Sequence, residues 1–238
     1  MNTLSRAYLP LKARPIPSTG TVELWLIALQ QLPLESVPAG HDRADWLRGQ
    51  RIRQRFMLRL LLGSYLGCPG RDLELTRGER GKPMLGKRHA ESALSFNISH
   101  SGEWLAVAVG RGCPVGVDIE MERSMPRAAA LARRYFPGSE AQALTGLDEP
   151  FRSRTFLQHW TAREALVKAR GCGLAGTMDR IELDGSPPAI AGLPEGWPRA
   201  DRWSLVMPPL PEGLVGHVAA RRPGIGVDAR VLEAAFPE

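Results

Sequence analysis

The chain has 238 residues, with 31 Lys and Arg against 25 Asp and Glu for a formal net charge of +6, and 43% of its residues are hydrophobic. That length suits one large domain or two small ones around a sizeable core, and that composition excludes a chain disordered throughout. The longest unbroken apolar stretches, such as 24–29 and 105–109, fall far short of the roughly 20 residues of a membrane helix, so no membrane span is expected.

Residues 1–20 are Pro-rich and aperiodic and read as an extended lead-in without a secretory-length apolar run. The apolar run 22–27 reads as the first buried strand. Across 42–66 the apolar residues Trp46, Leu47, Ile52, Phe56, Leu60 and Leu61 recur at helical intervals, with Asp42 and Asp45 as candidate caps and Gly67 as a stop. Between 71 and 92 come short strands and loops carrying Gly81-Lys82-Pro83. Two strands, 94–98 and 103–109, are expected around a loop of Ser99, His100, Ser101 and Gly102, and a third, 115–120, after the Cys113-Pro114 turn. Residues 124–147 read as helical with a break at Pro137, and 151–170 as the clearest helix. Strands are expected around 179–184, 202–207 and 214–220.

A self-comparison at an offset of 110 residues lays 105–120 without gaps over 215–230, with four identities in sixteen positions that include a recurring Gly-Val-Asp. The same offset lays the helix at 46–58 over that at 156–168. The chain therefore reads as two similar halves, divided as 1–112 and 113–238, and at the 110-residue offset Asp118 and Glu120 align with Asp228 and Arg230. Any chemistry carried by the two acids is not duplicated.

Alternate residues of a strand share a face, so Asp118 and Glu120 project together with Cα atoms about 6.5–7 Å apart. Such a pair is either two solvated acids at a strand end or half of a hard-cation site, and oxygen ligands favour Mg²⁺ with Mn²⁺ as a substitute. Glu164 and Lys168 stand at i and i+4 on the clearest helix, either as a surface ion pair or as a third carboxylate beside a phosphate-binding lysine. Ser99, His100 and Ser101 at a strand end are suited to an anion. Two apparent signatures fail on context. The Gly-x-Gly-x-x-Gly of 171–176 follows a helix, not a strand, and reads as a helix stop, and Gly81-Lys82-Pro83 lacks the rest of a P-loop. The net charge suits either ordinary solubility or a surface for phosphate-rich ligands, an acidic protein partner or nucleic acid, although no RNP-type strand or helix-turn-helix is present. Three cysteines, odd in number and far apart, exclude a disulfide framework and a Cys-x-x-Cys zinc site and suit a reducing, cytoplasmic setting.

The elements Gly-Lys-Pro at 81–83, Phe-Asn-Ile-Ser-His-Ser at 96–101, Val-Gly-Val-Asp-Ile-Glu at 115–120 and Trp-Thr-Ala-Arg-Glu-Ala-Leu-Val-Lys at 160–168 resemble, in this order, the 4′-phosphopantetheinyl transferases of the surfactin-synthetase type. The resemblance implies an α+β fold, a pseudo-dimer of two similar α/β halves with the active site between them. It implies transfer of 4′-phosphopantetheine from coenzyme A to a serine of an apo acyl or peptidyl carrier protein of fatty acid, polyketide or nonribosomal peptide synthesis, releasing adenosine 3′,5′-bisphosphate. On this basis Asp118, Glu120 and Glu164 match the Mg²⁺ ligands, Lys168 the lysine on a phosphate oxygen, and Lys82 and His100 contacts to the 3′-phosphate of coenzyme A. Gly81, Pro83 and Ser99 match backbone or hydroxyl contacts, and Arg55 and Arg59, with Arg53, are candidates for a nucleotide-binding arginine. Glu164 is ligand, base or both. Arg163 stands where the family usually has lysine, and arginine's planar fork is not equivalent. The implied partners are a transient, acidic carrier protein and coenzyme A, with neither nucleic acid nor membrane, and a monomeric, cytoplasmic enzyme. The segment 124–136, with Met125, Leu131 and Tyr135 near Arg127, Arg133 and Arg134, reads either as the carrier surface or as a helix packed on the core.

Overall fold

A computed structural model describes residues 3–32, 43–78, 81–172 and 176–233. The elements run β1 (Ser5–Tyr8), β2 (Thr21–Ala28), α1 (Arg43–Leu66), β3 (Leu75–Arg77), β4 (Pro83–Leu85), β5 (Leu94–Ser101), β6 (Trp104–Arg111) and β7 (Val115–Met121). They continue with α2 (Ala128–Tyr135), α3 (Gly138–Thr145), α4 (Phe151–Arg170), β8 (Glu182–Asp184), β9 (Ala189–Gly192), β10 (Ser204–Val206), β11 (Leu214–Ala220) and β12 (Gly226–Glu233).

Two sheets pack face to face and each carries a long helix on its outer side. The larger has the order β1-β12-β2-β6-β5, and the smaller, antiparallel throughout, the order β10-β11-β7. β2 is buried on both faces, which explains its unbroken apolar run. Trp25, Ile27, Val107 and Val109 turn to α1 and meet Met57, Leu58, Leu61 and Leu62. Val22, Leu24, Leu26 and Ala106 turn the other way onto Val115, Val117, Ile119 and Val218 of the smaller sheet. Beyond that sheet lies α4, with Ala162, Ala165 and Leu166 against Ala219. The layers are thus helix, sheet, sheet, helix, an α+β fold, and the 110-residue offset superposes β6 on β11, β7 on β12 and α1 on α4.

The hairpin partners part company. β6 stays in the large sheet while β7 pairs with β11, and β12 leaves β11 to pair in parallel with both β2 and β1. A division at 112/113 therefore cuts between β6 and β7 but leaves β12 in the sheet of β2.

Some expectations change. The lead-in contains β1, whose backbone completes an edge beside β12, so 22–27 belongs to the second strand. β5 runs through Ser101, which puts Ser99, His100 and Ser101 on a strand and not in a loop. β9, a short strand not expected from the sequence, pairs with β8. Trp46, Leu47, Ile52 and Phe56 of α1 remain 40–47% exposed, because the sheet receives only the later turns of that helix. Gly67 ends α1 in the left-handed conformation expected of a stop, while Asp42 lies outside the described residues. Residues 173–175 of the glycine-rich stretch are also outside them, and Gly171 closes α4 with φ +79°.

Candidate active site

The outer face of β7 is presented to α4. Asp118 and Glu120 share that face, and Gly116 precedes them where a Cβ would strike the backbone of Ala165 and Ala169. The missing side chain lets α4 lie close on the strand, bringing Glu164 and Lys168, one turn apart, to the two acids.

Asp118 is 6% exposed. Its Oδ1 accepts hydrogen bonds from Lys168 Nζ at 2.7 Å and from Ser99 Oγ at 2.7 Å. Lys168 Nζ also donates to Ser99 Oγ and to the Val117 carbonyl, each at 3.2 Å. Burial pushes the Asp118 carboxyl up against the pull of Lys168. Glu120 Oε2 accepts from Ser101 Oγ at 2.7 Å and from Arg123 Nη1 at 2.9 Å. Glu164, 9% exposed, has no hydrogen-bond or ion-pair partner for its carboxylate among the described residues. Burial first, then the charge of Asp118, pushes it up to about 7, with Glu120 adding to the rise and Lys168 opposing it.

The first half of the chain reaches into this site twice. β5 and β7 share no backbone ladder; instead Asn97 Oδ1, Ser99 Oγ and Ser101 Oγ accept the backbone N–H groups of Val117, Ile119 and Met121 at 3.0, 3.3 and 3.0 Å. From the β3–β4 hairpin, whose turn uses Gly81 at φ +77°, Lys82 Nζ donates to the Lys168 carbonyl at 2.8 Å. Burial, followed by the charge of Lys168, lowers the Lys82 pKa.

Beside these groups opens a cavity of about 470 Å³ between α1, the β3–β4 hairpin and Ile98. Arg51, Arg55, Arg59 and Arg77 line it, together with Gly81 and Pro83. His100, exposed and two residues beyond Ile98, shares its strand face. Arg59 Nη1 already serves the Gly70 and Leu73 carbonyls at 2.8 Å each, whereas Arg53 does not line the cavity. Arg51 and Arg77 escaped sequence reasoning because only the packing of α1 against the hairpin brings them together. Ser101 and Asn97 had a signal, the period-2 alternation with Ser99, which a loop assignment hid.

Arg163 belongs to the interior. It is wholly buried, with Nη2 at 2.5 Å from Glu140 Oε2, further bonds to the carbonyls of His159, Met178 and Ile181, and its guanidinium 4.1 Å from the Phe136 ring centroid. An ammonium could not serve four acceptors in one plane.

A family profile described as "4'-phosphopantetheinyl transferase superfamily" matches residues 114–200, and one described as "4'-phosphopantetheinyl transferase, N-terminal" matches 23–111. The chain is 33% identical over 215 residues to the 4'-phosphopantetheinyl transferase HetI of Nostoc sp., covering 85% of this chain and 89% of that one. The chain belongs to the 4′-phosphopantetheinyl transferase superfamily. Further relatives are the rat L-aminoadipate-semialdehyde dehydrogenase-phosphopantetheinyl transferase, 33% identical over 68% of this chain and 56% of its own, and the 4'-phosphopantetheinyl transferase AcpT of Salmonella typhi, 32% identical over 59% of this chain and 67% of its own. The protein is accordingly a transferase that moves phosphopantetheine from coenzyme A to carrier proteins. Its pseudo-dimeric architecture agrees with the two-part family match.

The donor set of this transferase suits a hard cation. All donors are carboxylate oxygens, and Asp118 Oδ2 and Glu120 Oε1 have no hydrogen-bond partner among the described residues. Among the described residues no three His, Cys, Asp or Glu side chains are yet drawn together closely enough to hold a metal. Lys168 and Arg123 hold one oxygen each of Asp118 and Glu120 as internal counter-ions.

Proposed function

We propose that this transferase, of the surfactin-synthetase type, joins the hydroxyl oxygen of a carrier-protein serine to the β-phosphorus of coenzyme A, breaking the bond to adenosine 3′,5′-bisphosphate. The observation that carries the reading is that Lys168, held on Asp118 within 113–238, also donates to Ser99 of 1–112, beside an arginine-lined cavity. Asp118, Glu120 and Glu164 would hold Mg²⁺ or Mn²⁺, which supplies charge neutralisation at the pyrophosphate. Lys168 stabilises the leaving bisphosphate, moving from Asp118 to a phosphate oxygen. Glu164, buried and without a partner among the described residues, accepts the serine proton directly or through water.

The cavity suits the nucleotide end of coenzyme A. Arg55 is exposed there and free to meet a phosphate, with Arg51 and Arg77 as additional candidates, while Arg59 shapes the wall. Lys82 and His100 take the 3′-phosphate and Gly81, Pro83 and Ser99 line its approach. The carrier docks at 124–136, supported by the exposed Arg127, Arg133 and Arg134 and by a small cleft of about 130 Å³ lined by Glu120, Arg123, Met125, Leu131, Phe156, Leu157 and Trp160. The charge of +6 is assigned to steering acidic carriers and coenzyme A, not to nucleic acid or membrane. Two halves in one chain suit a monomer, and three unpaired cysteines suit the cytoplasm.

The test is mass spectrometry of apo acyl and peptidyl carriers incubated with coenzyme A, Mg²⁺ and the protein. A gain of one phosphopantetheine on serine, lost when Mg²⁺ is chelated and restored by Mn²⁺, is the expected result. Transfer that is indifferent to chelation would overturn the cation assignment.

A further inference from the structure

Ser99 and Ser101 repeat one arrangement. Each hydroxyl accepts a backbone N–H of β7, from Ile119 or Met121, and donates its own proton to the carboxylate one residue earlier, Asp118 Oδ1 or Glu120 Oε2, both at 2.7 Å. Asn97 makes the same backbone bond, to Val117, and touches no carboxylate. The side-chain rungs between β5 and β7 therefore differ: the first only joins the strands, and the other two also orient an acid.

We infer that Ser101 is a positioning residue for Glu120, fixing Oε2 so that Oε1 stays turned to the cation. The inference rests on the cation reading given above. Ser101 is 9% exposed and Glu120 is the more solvated acid, its other tether being the half-exposed Arg123. A long carboxylate at a strand end has rotamers that sweep it into solvent, and two donors on one oxygen select one of them. Arg123 competes with a cation by charge; Ser101 does not, since a neutral hydroxyl orients the acid without reducing its charge. Outer donors of this kind typically set metal affinity by about 10-fold or more.

The test is Mn²⁺ binding to the full chain with coenzyme A present and no carrier, read from the electron paramagnetic resonance signal of the free ion, alongside thermal melts. Ser101→Ala is expected to weaken Mn²⁺ binding about 10-fold, and Ser101→Thr, which keeps the hydroxyl, to restore it. Asn97→Ala should lower the melting temperature about as much as Ser101→Ala does while leaving Mn²⁺ affinity within about twofold. Equal Mn²⁺ affinities for Ser101→Ala and the wild type, with Glu120→Gln clearly weaker, would overturn the role of Ser101 alone. Equal affinities for Glu120→Gln and the wild type would overturn the cation reading and the inference with it. Should Ser101→Ala not fold, Ser101→Cys, a weak donor of similar size, is expected to fall between Ala and Thr, and parity with the wild type would count against the inference.

Discussion

The α4–β7 side and its counterpart at α1–β12 start from one pattern and end in opposite electrostatic states. On the α4–β7 side Asp118, Glu120 and Glu164 meet Lys168 and Arg123, and Glu164, without a partner among the described residues, is pushed up to about 7 by burial first and then by Asp118. At the 110-residue offset stand Asp228, Arg230, Gln54 and Leu58. Arg230 forms ion pairs with Asp228 and with Glu23, and Arg14 lies 3.3 Å from Glu23, so two acids meet two arginines. Tyr65 donates to Glu23 as well, Trp25 Nε1 donates to Tyr65 at 2.8 Å, and the Arg14 guanidinium lies 4.6 Å from the Trp25 ring centroid. Packing differs in the same sense: a Cβ on Gly116 would clash with α4, whereas one on Gly226 would meet nothing within 4 Å. The α4–β7 side keeps three acids against two cations under a helix held close, and the second copy sets two acids against two arginines.

The largest break in the comparison is Asp118→Asn, expected to lower transfer by about 100-fold or more at ordinary Mg²⁺. Asp118 is buried, contrary to its reading as a solvated acid, so its loss touches the core. The melting temperature should nevertheless move only by a few degrees, because burial penalises the lost charge and Lys168 keeps Ser99 and the Val117 carbonyl. Full activity in this variant would contradict the assignment.

Glu164→Gln should cost about 100-fold in transfer. In the metal-free protein the raised pKa of Glu164 also sets a pH dependence of stability. The folded-state pKa lies above the unfolded one, so the stability tied to the neutral carboxyl is present below about 4.5 and lost as pH rises through about 7. Glu164→Gln is therefore expected to melt higher than the wild type at pH 8 and close to it at pH 4.5. A variant that melts lower at pH 8 would show that the ionised carboxylate is held by the fold.

His100→Ala is expected to weaken coenzyme A about tenfold and dephospho-coenzyme A hardly at all in calorimetric titration. Equal losses would remove the 3′-phosphate contact. Asp228→Asn should do least: transfer within about twofold of the wild type and a small loss of melting temperature, since the Asp228 side chain is 42% exposed. A rate loss comparable to that of Asp118→Asn would erase the distinction between the halves.

Much of this was legible in the chain. An unbroken apolar run located β2, strand and turn residues located β6, β7 and the first part of β5, the spacing of Glu164 and Lys168 put both on one helix face, and the offset found which strands and helices correspond. These are local or repeated features, set by backbone geometry within a few residues. β1 and β12 were less legible as neighbours because parallel pairing joins residues more than 220 positions apart, and the exposed Trp46, Leu47, Ile52 and Phe56 were unreadable because amphipathic spacing does not say how far a sheet extends beneath a helix. Arg163 looked like part of the site from its place beside Glu164, yet adjacent helix residues point about 100° apart, and it became the centre of a buried cluster with Glu140. Sequence alone determined which residue types could do the chemistry. Only the tertiary structure decided which were paired and which was buried without a partner among the described residues, because desolvation and counter-ion placement depend on what other segments bring near, and here Ser99, Ser101 and Lys82 arrive from the other half.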